Sequence, residues 1–147
     1  MSLNSFCQAW TLGSSGKRSA ATTALGFSRA WGSSTVGIKL VPDDRGQITG
    51  PLEVARELSA NQSVWMEKVR NFSASRLLDL KNESWLDTGE APLTAGDFLR
   101  KVSIESVVVD ADGVCEFWLN DGALFSGHSI VVRGSVSDGL VDAEIAG

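Results

Sequence analysis

The C-terminal third of the chain is punctuated by tight-turn dipeptides, and their spacing constrains the fold more than any other feature of the sequence. Asp112-Gly113, Asp121-Gly122 and Asp138-Gly139 fall between short runs rich in Val, Ile, Phe and Trp. Aspartate folds back onto its own main chain and glycine accepts a positive φ, so each pair favours a reversal of direction. Strands joined this closely pair antiparallel, because a parallel pair needs a crossover of a dozen or more residues. Strands are therefore expected over 104–110, 114–120 and 128–133, forming an antiparallel meander, with a final strand over 140–145.

The N-terminal part offers a second β unit. Residues 25–31 and 35–41 read as strands joined through Gly32-Ser33-Ser34, and 6–12 as a short strand before them. The middle of the chain is helical. Thr49 can cap a helix with Pro51 in its first turn and Glu53 close to its positive end, running to about residue 60. Asn61-Gln62-Ser63 either interrupts or restarts it. Trp65, Val69 and Phe72 follow at helical spacing, and Leu77, Leu78 and Leu80 extend the apolar face to about residue 81. Residues 82–92 read as a loop. Thr94 and Asp97 approximate a capping box for a short helix over 95–101.

Strands at both ends of a helical middle give an α+β class. The expected architecture is a twisted antiparallel sheet, an N-terminal hairpin plus a C-terminal meander, with the long and the short helix packed on one face. Residues 25–147 form one domain. Residues 1–24 form a flexible or irregular lead-in, rich in Ser, Thr, Ala and Gly from Gly13 to Ala24. Trp65, Val69, Phe72, Phe98, Phe117 and Leu119 are the expected core.

Charge narrows the function classes. The chain of 147 residues carries a net charge of -5, and all of its acidic residues lie from Asp43 onward. Lys17, Arg18, Arg29 and Lys39 are the cations that precede them. Such a chain does not favour the phosphate backbone, so no nucleic acid is expected as a partner. No apolar run approaches the length of a membrane span, and the first residues lack the basic and apolar regions of a secretory signal. Cys7 and Cys115 are too far apart in sequence to suggest a disulfide framework or a zinc site, which fits a reducing cytoplasm. Cys115 falls in an apolar strand and reads as a small core residue.

Three stretches are distinctive when taken together. They are Leu80-Lys81-Asn82-Glu83-Ser84-Trp85-Leu86, then Cys115-Glu116-Phe117-Trp118 with Asn120-Asp121-Gly122, then Leu124-Phe125-Ser126-Gly127-His128-Ser129-Ile130 with the terminal Asp142-Ala143-Glu144-Ile145-Ala146-Gly147. In this order the chain resembles the bacterial domain-of-unknown-function family numbered 2262, over about 25–147. The resemblance implies no reaction, substrate or catalytic set. By analogy with other small bacterial domains it favours an immunity-type or interaction module.

His128, the one histidine, is the default acid–base residue because imidazole titrates near neutral pH. Asp121, at a turn, and Asp142, on the last segment, could approach it if the final strands form a meander. A histidine at a strand start more often fixes a turn by hydrogen bonding, and that structural role is the expected one. Ser129 points to the opposite strand face and cannot pair with His128 as nucleophile and base. Asn82 suits a left-handed helix C-cap, and Trp85 either folds onto the core or stands out as a recognition anchor. The sequence contains no metal-ligand spacing, phosphate loop or nucleophile elbow, so no metal or cofactor is expected. Two functions follow: a protein-binding module of immunity or regulatory type, or a small hydrolase centred on His128 with Asp121 or Asp142. Asn82 and Trp85 are the candidate binding residues of the first.

Overall fold

Alternation along the strands decides which side of the sheet is covered. In the computed structural model, which describes residues 24–146, Val36, Ile38 and Leu40 are buried. So are Val107 and Val109, Cys115, Phe117 and Leu119, and Ile130 and Val132. The residues between most of these are polar or partly exposed, which is the pattern of a sheet with one covered face. The strands are β1 (Leu25–Trp31), β2 (Ser34–Leu40), β3 (Ser103–Val109), β4 (Cys115–Asn120), β5 (Ser129–Ser135) and β6 (Gly139–Ala146). They form one sheet in the order β1-β2-β3-β4-β5-β6.

Four of the five seams are antiparallel, including the whole expected meander β3-β4-β5 and its extension to β6. The β2–β3 seam is parallel, with Gly37 opposite Ser106 and Leu40 opposite Val109. The sheet is thus mixed rather than purely antiparallel. The physical reason is the length of the helical segment between these two strands. It is long enough to return the chain to the same end of the sheet, which a tight turn is not.

That crossover contains α1 (Thr49–Ala60), α2 (Gln62–Ser84) and α3 (Ala95–Lys101). Asn61 separates the first two, so the polar Asn61-Gln62-Ser63 stretch restarts the helix rather than continuing it. Thr49 is inside α1 and does not cap it. Ile48 occupies the cap position, without a side-chain cap bond. The capping box of α3 forms as expected, with the Thr94 hydroxyl accepting from the Asp97 main chain and the Asp97 carboxylate accepting from that of Thr94. Trp65, Val69, Phe98, Phe117 and Leu119 are buried, and Trp65 stacks on Phe117 with ring centroids 6.0 Å apart. Phe72 is only half-buried and carries the Arg76 guanidinium over its ring. On α2 it sits at the margin of the stripe formed by Trp65, Val69, Ser73 and Leu77.

Two glycines are required by close approach. A Cβ on Gly122, whose φ is +57°, would lie 2.3 Å from the Lys101 carbonyl oxygen, and one on Gly134 would lie 2.3 Å from that of Gly139. The first lets the β4–β5 connection rest on the end of α3. The second lets β5 and β6 turn tightly around Ser137-Asp138. The expected strand over 6–12 and the lead-in of residues 1–23 lie outside the described residues.

Candidate functional site

The β4–β5 connection, residues 121–128, carries two of the three catalytic candidates at its two ends and gives each a structural partner. Asp121 does not make a two-residue hairpin with Gly122. It opens an eight-residue loop and organises it from inside. Its buried carboxylate accepts from the main-chain N–H of Ala123 at 3.0 Å, Phe125 at 2.8 Å and Gly127 at 3.0 Å. The loop needs this tether because its turns place Gly122, Ala123, Ser126 and Gly127 at positive φ, a conformation that Ala and Ser adopt only under constraint.

His128 closes the same loop. Its Nδ1 lies 2.6 Å from the Phe125 carbonyl oxygen, which also accepts the main-chain N–H of His128. Nδ1 therefore carries the proton and donates. The ring packs edge-on against Trp85 at 5.6 Å, and Trp85 in turn meets Phe125 at 5.5 Å. Among the described residues no carboxylate pairs with His128. Replacing His128 by alanine should lower the unfolding free energy by about 1–2 kcal/mol, because a side-chain bond and an aromatic contact are lost from a half-buried site. Denaturant unfolding of the variant checks this; wild-type stability would remove the structural role.

Asp142 lies on β6 and is engaged elsewhere. It pairs with Arg133 at 3.3 Å, and the same guanidinium reaches Glu144 at 2.7 Å and Glu116 at 2.9 Å. The hydrogen bonds that Arg133 donates to Glu144 and then to Glu116 raise its pKa further, so it stays charged throughout the accessible pH range. The cluster spans three adjacent strands on the helix-free face of the sheet.

Asn82 differs from its expected role. It lies in the last turn of α2 rather than at a left-handed cap, because the helix continues to Ser84 and is capped by Trp85 at φ −125°. Its side-chain amide bonds both the N–H and the C=O of Leu93, at 2.9 and 3.0 Å, as a neighbouring strand would. Trp85 folds onto the core beside Phe125, the first of its two expected placements.

Sequence reasoning missed Lys81, which is 2% exposed. Its ammonium donates to the Trp85 carbonyl at 2.6 Å and to Glu90 at 3.0 Å. The Asp87 main-chain N–H and then Lys81 hold the Glu90 carboxyl below its ordinary range. A signal was present. Lys81 falls four residues after Leu77 on the buried stripe of α2, where a lysine needs a partner. Together Lys81, Asn82, Trp85 and His128 knot the end of α2 to the loops around it.

The family follows from the same stretch of chain. The family model described as "Uncharacterized protein conserved in bacteria (DUF2262)" matches residues 21–145. The chain belongs to the DUF2262 family. Neither the curated proteins nor the solved structures gave a match. The DUF2262 domain of this chain has no helix among its described residues that is long and apolar enough to cross a membrane. Nor do three or more His, Cys, Asp or Glu side chains come together among them as metal ligands. Burial, and secondarily the Asp110 charge, pushes the Cys115 thiol up to about 12, so it is an inert core residue of this domain.

The described surface of the DUF2262 domain has two grooves of note. One, of about 680 Å³, lies on the helix-free sheet face over Gly26, Ser28, Gly37 and Ser106, beside Trp118. The other, of about 550 Å³, lies where α1 meets the β3–β4 turn and the start of β6. Val114 and Val141, 41% and 57% exposed, both line this second groove.

Proposed function

We propose that this DUF2262 chain is a small protein-binding module, of immunity or regulatory type. One observation carries the reading. Among the described residues four large aliphatic side chains are exposed, and two of them, Val114 and Val141, line one groove although one precedes β4 and the other lies on β6. Exposed aliphatics that converge on a concavity lose free energy by remaining in water and regain it under a partner.

The hydrolase alternative asks more of its residues. A general base at His128 would be oriented by a carboxylate. Asp121 has its oxygens on main-chain N–H groups, and Asp142 is held by Arg133 across the sheet.

The test compares the two directly. Tagged full-length chain is used to capture proteins from its native host, alongside Val114→Ser/Val141→Ser and His128→Gln variants. A protein retained by wild type and His128→Gln but lost with the double variant is the expected result. Turnover of ester, amide, phosphate or glycoside substrates by wild type, abolished in His128→Gln, would instead establish the hydrolase.

A further inference from the structure

The partner's chemistry can be read from the rim of the second groove. Its apolar lining is aliphatic: Val54 of α1, Val114 ahead of β4, Val136 after β5 and Val141 of β6. Val141 reaches it through a defect in the sheet. Arg133 pairs with Asp142 and Gly134 with Leu140, so Val141 is skipped by the β5–β6 register. A bulge of this kind re-aims a side chain, and here it leaves a valine in solvent at the edge of the sheet.

The rim is acidic. Glu57 of α1, Asp112 of the β3–β4 turn, Asp138 of the β5–β6 turn and Asp142 of β6 all border the same space. Among the described residues Arg133 is the cation on this lining, and Asp142, Glu116 and Glu144 already share its charge. The excess is therefore negative at a place where apolar surface is also exposed. Carboxylates around a low-dielectric patch attract a cation and orient it more strongly than the same charges on open surface.

We propose that this groove docks a short basic segment of a protein partner, one that sets an aliphatic side chain between Val114 and Val141 and its Lys or Arg residues against the acidic rim. This rests on the binding reading above, takes the same groove, and adds the chemistry of what docks there. A second copy of the chain is a poorer occupant, because it would bring one acidic rim against another.

The test is methyl-resolved NMR of the full chain with labelled valines, titrated with three synthetic hexapeptides that alternate lysine with valine, lysine with serine, or glutamate with valine. The lysine–valine peptide should move the methyls of Val114, Val136 and Val141. The other two should bind at least about tenfold more weakly, a difference equal to one decade of Kd. Salt should weaken the first titration, since ionic strength near about 0.3 M screens rim charges. Asp112→Asn/Asp138→Asn and Val114→Ser/Val141→Ser should each weaken it by about tenfold. The four sites are exposed, and the spectra themselves report whether each variant is folded.

Several results would overturn the proposal. They are equal binding of the glutamate–valine peptide, shifts confined to the Trp118 face, or no shifts at all. Two further results name other occupants. Groove shifts that depend on protein concentration without peptide would assign it to a second copy. Shifts that follow Lys17→Glu/Arg18→Glu without peptide would assign it to the chain's own N-terminal segment. If a protein is captured by wild type and lost with Val114→Ser/Val141→Ser while the lysine–valine peptide leaves the groove silent, the binding reading stands and the basic-segment proposal fails. If nothing is captured and hydrolytic turnover is found, the reading itself fails.

Discussion

Phe117→Ala should lower the unfolding free energy by about 3–5 kcal/mol, the largest loss expected from any single truncation discussed for this chain. Phe117 is fully buried at the middle of β4, in register with Val107 of β3 on one side and Val132 of β5 on the other. Its ring stacks on Trp65 of α2. It therefore ties the long helix to the central strands of the sheet. Alanine would forfeit the transfer free energy of the ring and leave a cavity that rigid strands on both sides cannot close. Phe117→Leu, which fills more of the space, should recover a large part of the loss. Urea unfolding of the three proteins checks both statements. A loss below about 1 kcal/mol for Phe117→Ala would mean that the helix does not pack where the structure places it.

The second large effect is expected at Asp121. Asp121→Ala should cost about 2–4 kcal/mol, because three main-chain N–H groups lose one carboxylate acceptor and that of Phe125 is buried. Asp121→Asn is the more informative variant. It keeps the shape, but its amide nitrogen must face a main-chain N–H that it cannot accept from. Its cost should approach that of alanine, and hydrogen exchange at Phe125 and Gly127 should speed up in both variants. A catalytic Asp121 would behave in the opposite way, with stability retained and an activity lost. An Asp121→Asn protein as stable as wild type would therefore remove the structural account of this loop.

Much of the fold was legible because the signals are local. Turn dipeptides fix where the chain reverses, and alternation within each strand fixes which face is buried. The Thr94–Asp97 capping box lies within four consecutive residues, so it could be read directly. The distinctive stretches around Trp85, Asp121 and His128 were enough to indicate the family. The quantities that depend on pairing were not legible. The parallel β2–β3 seam is set by where the helical crossover delivers the chain, and no turn dipeptide encodes that. Asn82 looked like a helix end because asparagine tolerates a left-handed backbone. Tertiary structure used its amide to hold Leu93 instead.

The candidate site divides in the same way. From its sequence alone the chain determined an α+β class, its strands and turns, an acidic surface and the residue types available for chemistry. Only the tertiary structure decided what those residues face. It turned Asp121 inward onto main-chain N–H groups, set the His128 ring against Trp85 and the Phe125 carbonyl, and placed Asp142 beside Arg133. It also brought Val114 and Val141 together, through a bulge that no local pattern announces. Register and burial are relations between distant segments, whereas propensity and periodicity belong to neighbours in the chain.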